Sequence, residues 1–355
     1  MAFVLNKKIK NLEPYSPVSG EYRIRLDANE SFILPDEEIM QSIEQSMSKI
    51  KFNRYPDPYA TKLCKLFASF YGVKSELVTA GNGSDELISI IMSAFTQKGD
   101  TIICSPPDFS MYKFYSQISE SDCIEVNKKE DFSFDVDGLI KTANSSNARI
   151  VVFSNPCNPT SVGLEREEVR RLVKSVDSLI VLDEAYMDFY DQTLIEEVEE
   201  HDNLIVLRTC SKAVGMASIR LGFAVANPKL TTIIKSVKSP YNVNSVTQAI
   251  GCAVFSNPDY IKKSIDRINA SRDFLAEELK KLEAKHPEKL KIIACSANFV
   301  YTKIYNASEM YEFLKKEGII VRNFGDYLRI TAGRNYENAQ LINAAERFLN
   351  GGEGE

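Results

Sequence analysis

Through the middle of the chain, short apolar runs alternate with stretches whose apolar residues recur every three or four positions. The runs Leu77 to Thr79, Thr101 to Cys104, Arg149 to Phe153, Leu179 to Leu182, Leu204 to Leu207 and Gly222 to Ala226 predict strands. Several are continuously apolar, as expected when both faces of a sheet are covered. Ser84 to Phe95 and Glu165 to Val176 predict helices between them. This βαβα rhythm predicts an α/β fold with a mostly parallel sheet flanked by helices. Later the pattern changes. Pro258 to Lys285 predicts one long charged amphipathic helix, with Ile261, Ile265, Ile268, Phe274 and Leu275 among its apolar positions. Strands are expected at Ile292 to Ile293, Phe299 to Thr302, Ile319 to Val321 and Tyr327 to Thr331. Met310 to Lys316 and Glu337 to Leu349 predict helices, which makes this end a smaller α+β domain. The expected division is 1–45, an arm and part of the small domain; 46–250, the large domain; and 251–355, the small domain.

The 355 residues suit two domains or one large one. The net charge of −6 gives no general electrostatic reason to bind nucleic acid or an anionic membrane. Seven widely spaced cysteines with no Cys-x-x-Cys pair predict free thiols in a reducing cytoplasm. The two histidines, His201 and His286, lie in charged stretches that predict surface positions. With so few histidines, neither a zinc site nor a histidine-based triad is expected. The N-terminal residues lack the apolar core of a signal peptide, and no stretch approaches the ~18 apolar residues of a membrane span.

In open parallel sheets, ligands bind outside the carboxyl ends of the strands. Four motifs fall at such places. Gly81-Asn82-Gly83-Ser84-Asp85-Glu86-Leu87 is a glycine turn opening a helix, which suits a phosphate. Glu86 spoils a dinucleotide fingerprint, no P-loop lysine is present, and an ordinary N-cap is the plain alternative. Asn155-Pro156-Cys157-Asn158-Pro159-Thr160 is a rigid turn that offers an amide. Asp183 ends one apolar run and Lys212 follows the next, in Ser211-Lys212-Ala213. An apolar setting lowers a lysine's pKa and makes it both nucleophile and base. A lysine to capture an aldehyde and a carboxylate to hold a ring nitrogen protonated are the parts of a pyridoxal phosphate (PLP) site. Arg220 could pair with a phosphate or form a structural salt bridge. Phe109 could stack on a ring or be a core aromatic. Tyr55, taken alone, says little.

Together these segments resemble the fold-type I PLP enzymes of the aspartate aminotransferase superfamily, and within it the histidinol-phosphate aminotransferases. The resemblance runs from Glu13-Pro14-Tyr15 to Leu328-Arg329-Ile330-Thr331. It includes Leu26-Asp27-Ala28-Asn29-Glu30, Arg54-Tyr55-Pro56-Asp57, Asp183-Glu184-Ala185-Tyr186, Pro240-Tyr241-Asn242-Val243-Asn244 and Ser296-Ala297-Asn298-Phe299-Val300. It implies Lys212 as Schiff-base lysine and proton shuttle, Asp183 on the pyridine nitrogen, and Tyr186 and Asn158 on the ring hydroxyl. Phe109 would stack on the ring. Ser84, Asp85, Ser211 and Arg220 would hold the phosphate. Tyr55 would reach the cofactor of a partner subunit, which implies a homodimer with shared sites. Arg329, Arg322, Tyr15 and Asn29 would contact substrate. The implied reaction is ping-pong transamination from an amino donor to 2-oxoglutarate. Two positions depart from the family pattern. Ser161 stands where a glycine is usual, and Phe109 where a tyrosine is frequent. A threonine-phosphate decarboxylase-like enzyme and a broad aromatic aminotransferase share most of these motifs. A non-catalytic binding module of the same fold is the alternative from another class.

Overall fold

The computed structural model describes residues 3–6, 8–10, 12 and 18–351. Its strands, in chain order, are β1 (Ile24–Arg25), β2 (Val78–Gly81), β3 (Thr101–Cys104), β4 (Asp122–Glu125), β5 (Ile150–Ser154), β6 (Leu179–Asp183) and β7 (Leu204–Thr209). They continue with β8 (Gly222–Ala226), β9 (Leu290–Ala294), β10 (Phe299–Ile304), β11 (Ile319–Ile320), β12 (Arg322–Asn323) and β13 (Tyr327–Thr331). Seven of them form a central sheet in the order β2-β8-β7-β6-β5-β3-β4. All its neighbours pair in parallel except β8, which runs antiparallel to β2 and β7.

The apolar runs explain this arrangement. Alternate residues point to opposite faces of a strand. Val151, Phe153, Ile180, Leu182, Val206 and Phe223 enter one apolar cluster. Ile150, Val152, Val181, Ile205, Leu207 and Ala224 enter another on the opposite face. Each such side chain, fully buried, contributes roughly 1.5–3 kcal/mol. The sequence reading missed β4. It is an edge strand with exposed acids at both ends, Asp122 and Glu125, and only Cys123 and Ile124 half-buried between them, so it lacks the apolar run that marks its neighbours.

A third cluster lies under the antiparallel sheet β12-β13-β10-β9. The helix Pro258–Lys285 joins two of the clusters. Tyr260, Ile261 and Ile268 pack into the first, and Leu275, Leu279 and Leu282 into the third. Phe274, counted among the apolar positions of that helix, is instead 38% exposed, one residue round from the buried Leu275. The N-terminal strand β1 pairs with β11, and Thr331 N donates to Leu26 O at 3.0 Å, so the segment Ile24–Asn29 is seated on the C-terminal sheet. His201 is also corrected. It is buried because the 3-10 turn Ile195–Glu200 inserts Ile195 and Val198 against the sheet and carries the histidine inward. Among the described residues no helix is long and apolar enough to cross a membrane.

Candidate active site

Because β8 opposes both β2 and β7, the carboxyl ends of β2, β5, β6 and β7 share one edge of the sheet. β6 ends on Asp183, which is 4% exposed. One of its carboxylate oxygens accepts from Tyr112 Oη at 2.9 Å and the other from Ala185 N at 3.1 Å. Burial pushes its pKa up to about 6 against the help of these two donors. The adjacent Glu184 turns the other way, into a buried ion pair with Arg208 at 2.8 Å.

β7 runs into Cys210, Ser211 and Lys212. Lys212 Nζ donates to Ala28 O at 2.9 Å and lies 5.8 Å from the centroid of the Tyr186 ring. Loss of hydration, and then the positive charge of Arg329, lower the Lys212 pKa to about 7. Tyr186 Oη accepts from Asn29 Nδ2 at 2.9 Å, and Asn29 Oδ1 accepts from Thr331 Oγ1 at 3.0 Å. Arg329 Nη1 donates to Asn158 Oδ1 at 2.5 Å, and Nη2 to Asp27 O at 2.5 Å. The lysine, the tyrosine, both asparagines and the arginine therefore sit on one connected set of contacts. Arg322 faces Arg329 across β12 and β13, so the two side chains leave the same face of that sheet.

The glycine turn after β2 opens the helix Gly83–Phe95, and Asn82 places no side-chain cap on its first turn. Gly83 has φ +86°, and a Cβ there would lie 3.0 Å from Arg220 Nη2. A Cβ on Gly222 would run into the backbone of Gly83 and Ser84. Gly83 is therefore favoured by its positive φ, and Gly222 is required by close approach of the backbone. Arg220 is itself left-handed at φ +50°, a conformation that costs a non-glycine residue roughly 1–2 kcal/mol. That conformation lets Arg220 Nη1 donate to Ser211 Oγ at 3.3 Å. The first turn of a helix, two serines and a guanidinium thus converge. Asp85 at the same turn has one buried carboxylate oxygen without a partner, while the other accepts from Tyr115 Oη at 3.1 Å. Amide N–H groups, hydroxyls and an arginine form a donor set matched to a phosphate dianion. Further along the same edge stand the buried Asp183 and the half-buried Phe109, whose ring meets Tyr112 edge-on at 5.6 Å. The residues present therefore fit PLP.

Residues 22–348 match the family described as aminotransferase class I and II. The chain belongs to that family. The histidinol-phosphate aminotransferase of Clostridium kluyveri is 40% identical over 351 residues, covering 98% of this chain and 99% of that protein. Its counterpart from Clostridium novyi is 41% identical and covers 96% of each chain. The crystal structure of histidinol-phosphate aminotransferase from Sinorhizobium meliloti in complex with pyridoxal-5'-phosphate shares the fold at a TM-score of 0.87. It is 23% identical, with 99% of each chain covered.

In this aminotransferase the structure brings together Lys212, Asp183, Tyr186, Asn158, Asn29 and Arg329, and beside them Ser84, Asp85, Ser211 and Arg220. It leaves Tyr55 apart, 80% exposed and stacked on Tyr241 at 4.6 Å. Tyr15 lies outside the described residues. The sequence reading missed Tyr112, the hydrogen-bond donor to Asp183. Its position three residues after Phe109, one helical turn on, is the signal that could have found it. It also missed Thr331, whose hydroxyl accepts from Asn29 N at 3.1 Å. No spacing rule points to that pairing, which is made across the fold.

The lowered Lys212 pKa has a direct consequence for the cofactor-free aminotransferase. Only a neutral amine attacks an aldehyde, and the neutral fraction grows as pH rises through the pKa. Capture of PLP should therefore rise to half its maximum near pH 7 and then level off. A lysine at its ordinary 10.5 would still be climbing three units higher. Stopped-flow absorbance against pH checks this, and a rate still increasing through pH 9 contradicts it.

Proposed function

We propose that this aminotransferase is PLP-dependent and transfers the amino group of histidinol phosphate to 2-oxoglutarate. The observation that carries this reading is the placement of Lys212 and Asp183 at one sheet edge with the anion cradle of Ser84, Ser211 and Arg220. The substrate is supported by near-full-length relatives of that name at 40% and 41% identity.

Ser84, Asp85, Ser211 and Arg220 would hold the cofactor phosphate. Phe109 would cover the ring, Asp183 would keep its pyridine nitrogen protonated, and Asn158 and Tyr186 would bond its hydroxyl. The cofactor supplies an aldehyde that binds amines and a ring that accepts an electron pair. Lys212 Nζ, made more readily neutral by its dehydrated setting, would take the proton from the amino-bearing carbon of the substrate and return one to the 2-oxo acid carbon in the second half of the cycle. Arg329, with Arg322 beside it and Tyr15 and Asn29 as further contacts, receives the anionic end of the substrate. An arginine fork suits phosphate and carboxylate alike, so one pocket serves both substrates.

Three further readings go with this function. The chain divides into an arm with part of the small domain (1–45), a large PLP-binding domain (46–250) and a small domain (251–355). Two copies form a homodimer in which Tyr55 reaches the partner's cofactor; its exposure supports an outward role. The enzyme works in the cytoplasm, which the seven free thiols support.

Single-turnover reactions of the PLP-loaded enzyme with histidinol phosphate, phenylalanine, tyrosine and threonine phosphate test the substrate. Histidinol phosphate should react with the highest kcat/KM and release no carbon dioxide. A faster reaction with an aromatic amino acid, or carbon dioxide from threonine phosphate, overturns the assignment.

A further inference from the structure

Ser161 lies in the loop that carries Asn158, between β5 and the helix Arg166–Ser175, and is completely buried with φ +60°. A side chain in that left-handed conformation is disfavoured, and glycine is the residue that tolerates it. The serine hydroxyl supplies what a glycine cannot. Its Oγ accepts from Ala297 N at 2.8 Å and donates to Phe299 O at 3.4 Å, while Ser161 O accepts from Ser296 N at 3.3 Å. Ala297 and Phe299 are also fully buried, so their backbone groups have no water to turn to.

These bonds cross from the loop after β5 to Ser296 and Ala297, which lead into β10, and to Phe299, its first residue. β10 pairs with β13, setting Phe299 beside Thr331 and Tyr301 beside Arg329. The Arg329 guanidinium lies 5.4 Å from the Phe299 ring centroid. It then returns to the loop through Asn158 Oδ1. Loop, β10, β13 and arginine thus form a closed circuit, with Ser161 at one joint and Arg329 at the other. We infer that Ser161 is a positioning residue for the amino-transfer reaction. Its hydroxyl fixes the register of loop against sheet, and so sets where Arg329 presents its fork to the anionic end of the substrate. This rests on the reading of Arg329 as the anion-binding residue.

The test uses the PLP-loaded enzyme and the variants Ser161→Gly, Ser161→Ala, Arg329→Gln and Ser161→Gly/Arg329→Gln. Glycine removes the hydroxyl while relieving the backbone, and alanine removes it without that relief. Succinate, a non-reacting dicarboxylate, is titrated by calorimetry, and KM and kcat are measured for 2-oxoglutarate. Both serine variants should weaken succinate and raise KM by about fivefold, within the range of coupled neighbours, and leave kcat within about twofold. In the Arg329→Gln background the serine change should add little. Hydrogen exchange at Ala297, read by mass spectrometry, should accelerate in both serine variants. If Arg329→Gln weakens succinate while Ser161→Gly binds it like wild type, the inference fails and the reading of Arg329 stands. If Arg329→Gln itself binds succinate normally, the reading of Arg329 falls and takes the inference with it. Equal effects of Ser161→Gly with and without Arg329 exclude action through the arginine.

Discussion

Lys212→Ala should reduce turnover by about ten-thousandfold or more, because one side chain does two jobs. In the proposed reaction its amine would anchor the cofactor covalently, and the same nitrogen would move the proton at the amino-bearing carbon. The surroundings of Lys212 suit both. Loss of hydration and the positive charge of Arg329 bring its pKa down to about 7, so a large fraction is neutral at physiological pH and able to attack or to accept a proton. Its contact with Ala28 O also holds the nitrogen on the Asn29–Tyr186 side of the cleft. Alanine leaves the phosphate cradle intact, so the variant should still bind PLP reversibly. The check is a single-turnover half-reaction with the variant saturated in cofactor. Borohydride reduction of the wild-type enzyme should label the peptide containing Lys212. Wild-type rates in the variant, or a label on another lysine, remove the basis of the proposed chemistry.

Asp183→Ala should slow the proton-transfer half-reaction by about a hundred- to a thousandfold, the usual effect of deleting an electrostatic partner from a dry site. Burial first, and then the charges of Asp108 and Asp85, drive this carboxyl toward neutrality, while the hydrogen bonds from Tyr112 and Ala185 N oppose that drive. A protonated ring nitrogen beside it would supply the opposite charge that burial withholds, and the carboxylate would keep that nitrogen protonated in return. In the variant the phosphate anchors remain, so cofactor content should fall far less than rate. Measuring both separates the two effects. An unchanged half-reaction rate excludes Asp183 as the ring partner.

Much of the large sheet could be read directly from the chain. β3 and β8 lie where their apolar runs predicted, and β5, β6 and β7 begin or end within two residues of expectation. These strands are covered on both faces, which makes their sequences unambiguous. β4 was invisible because an edge strand needs no apolar run. Lys212, Asp183 and the glycine turn were legible for a related reason. Each follows directly on a buried strand, so placing the strand places the residue. The connections between distant segments were not legible. Asn29 meets Tyr186, Arg329 meets Asn158, and Ser161 meets Ala297 through hydrogen bonds between side chains or loops far apart in sequence. Periodicity reports which way a side chain faces, not what it meets there. Ser161 shows this limit well. Its departure from glycine is visible in the sequence, but its use depends on a backbone amide more than a hundred residues away.

The reversed strand β8 gives the turn 210–221 a particular geometry. That turn leaves the sheet beside Lys212 and re-enters it directly after Arg220, so it works as a two-pronged clip rooted in adjacent strands. Because β7 and β8 are paired neighbours, the pairing of the two strands, rather than a free loop, sets the spacing between Lys212 and Arg220. A small molecule gripped at both prongs would therefore be oriented by the sheet itself.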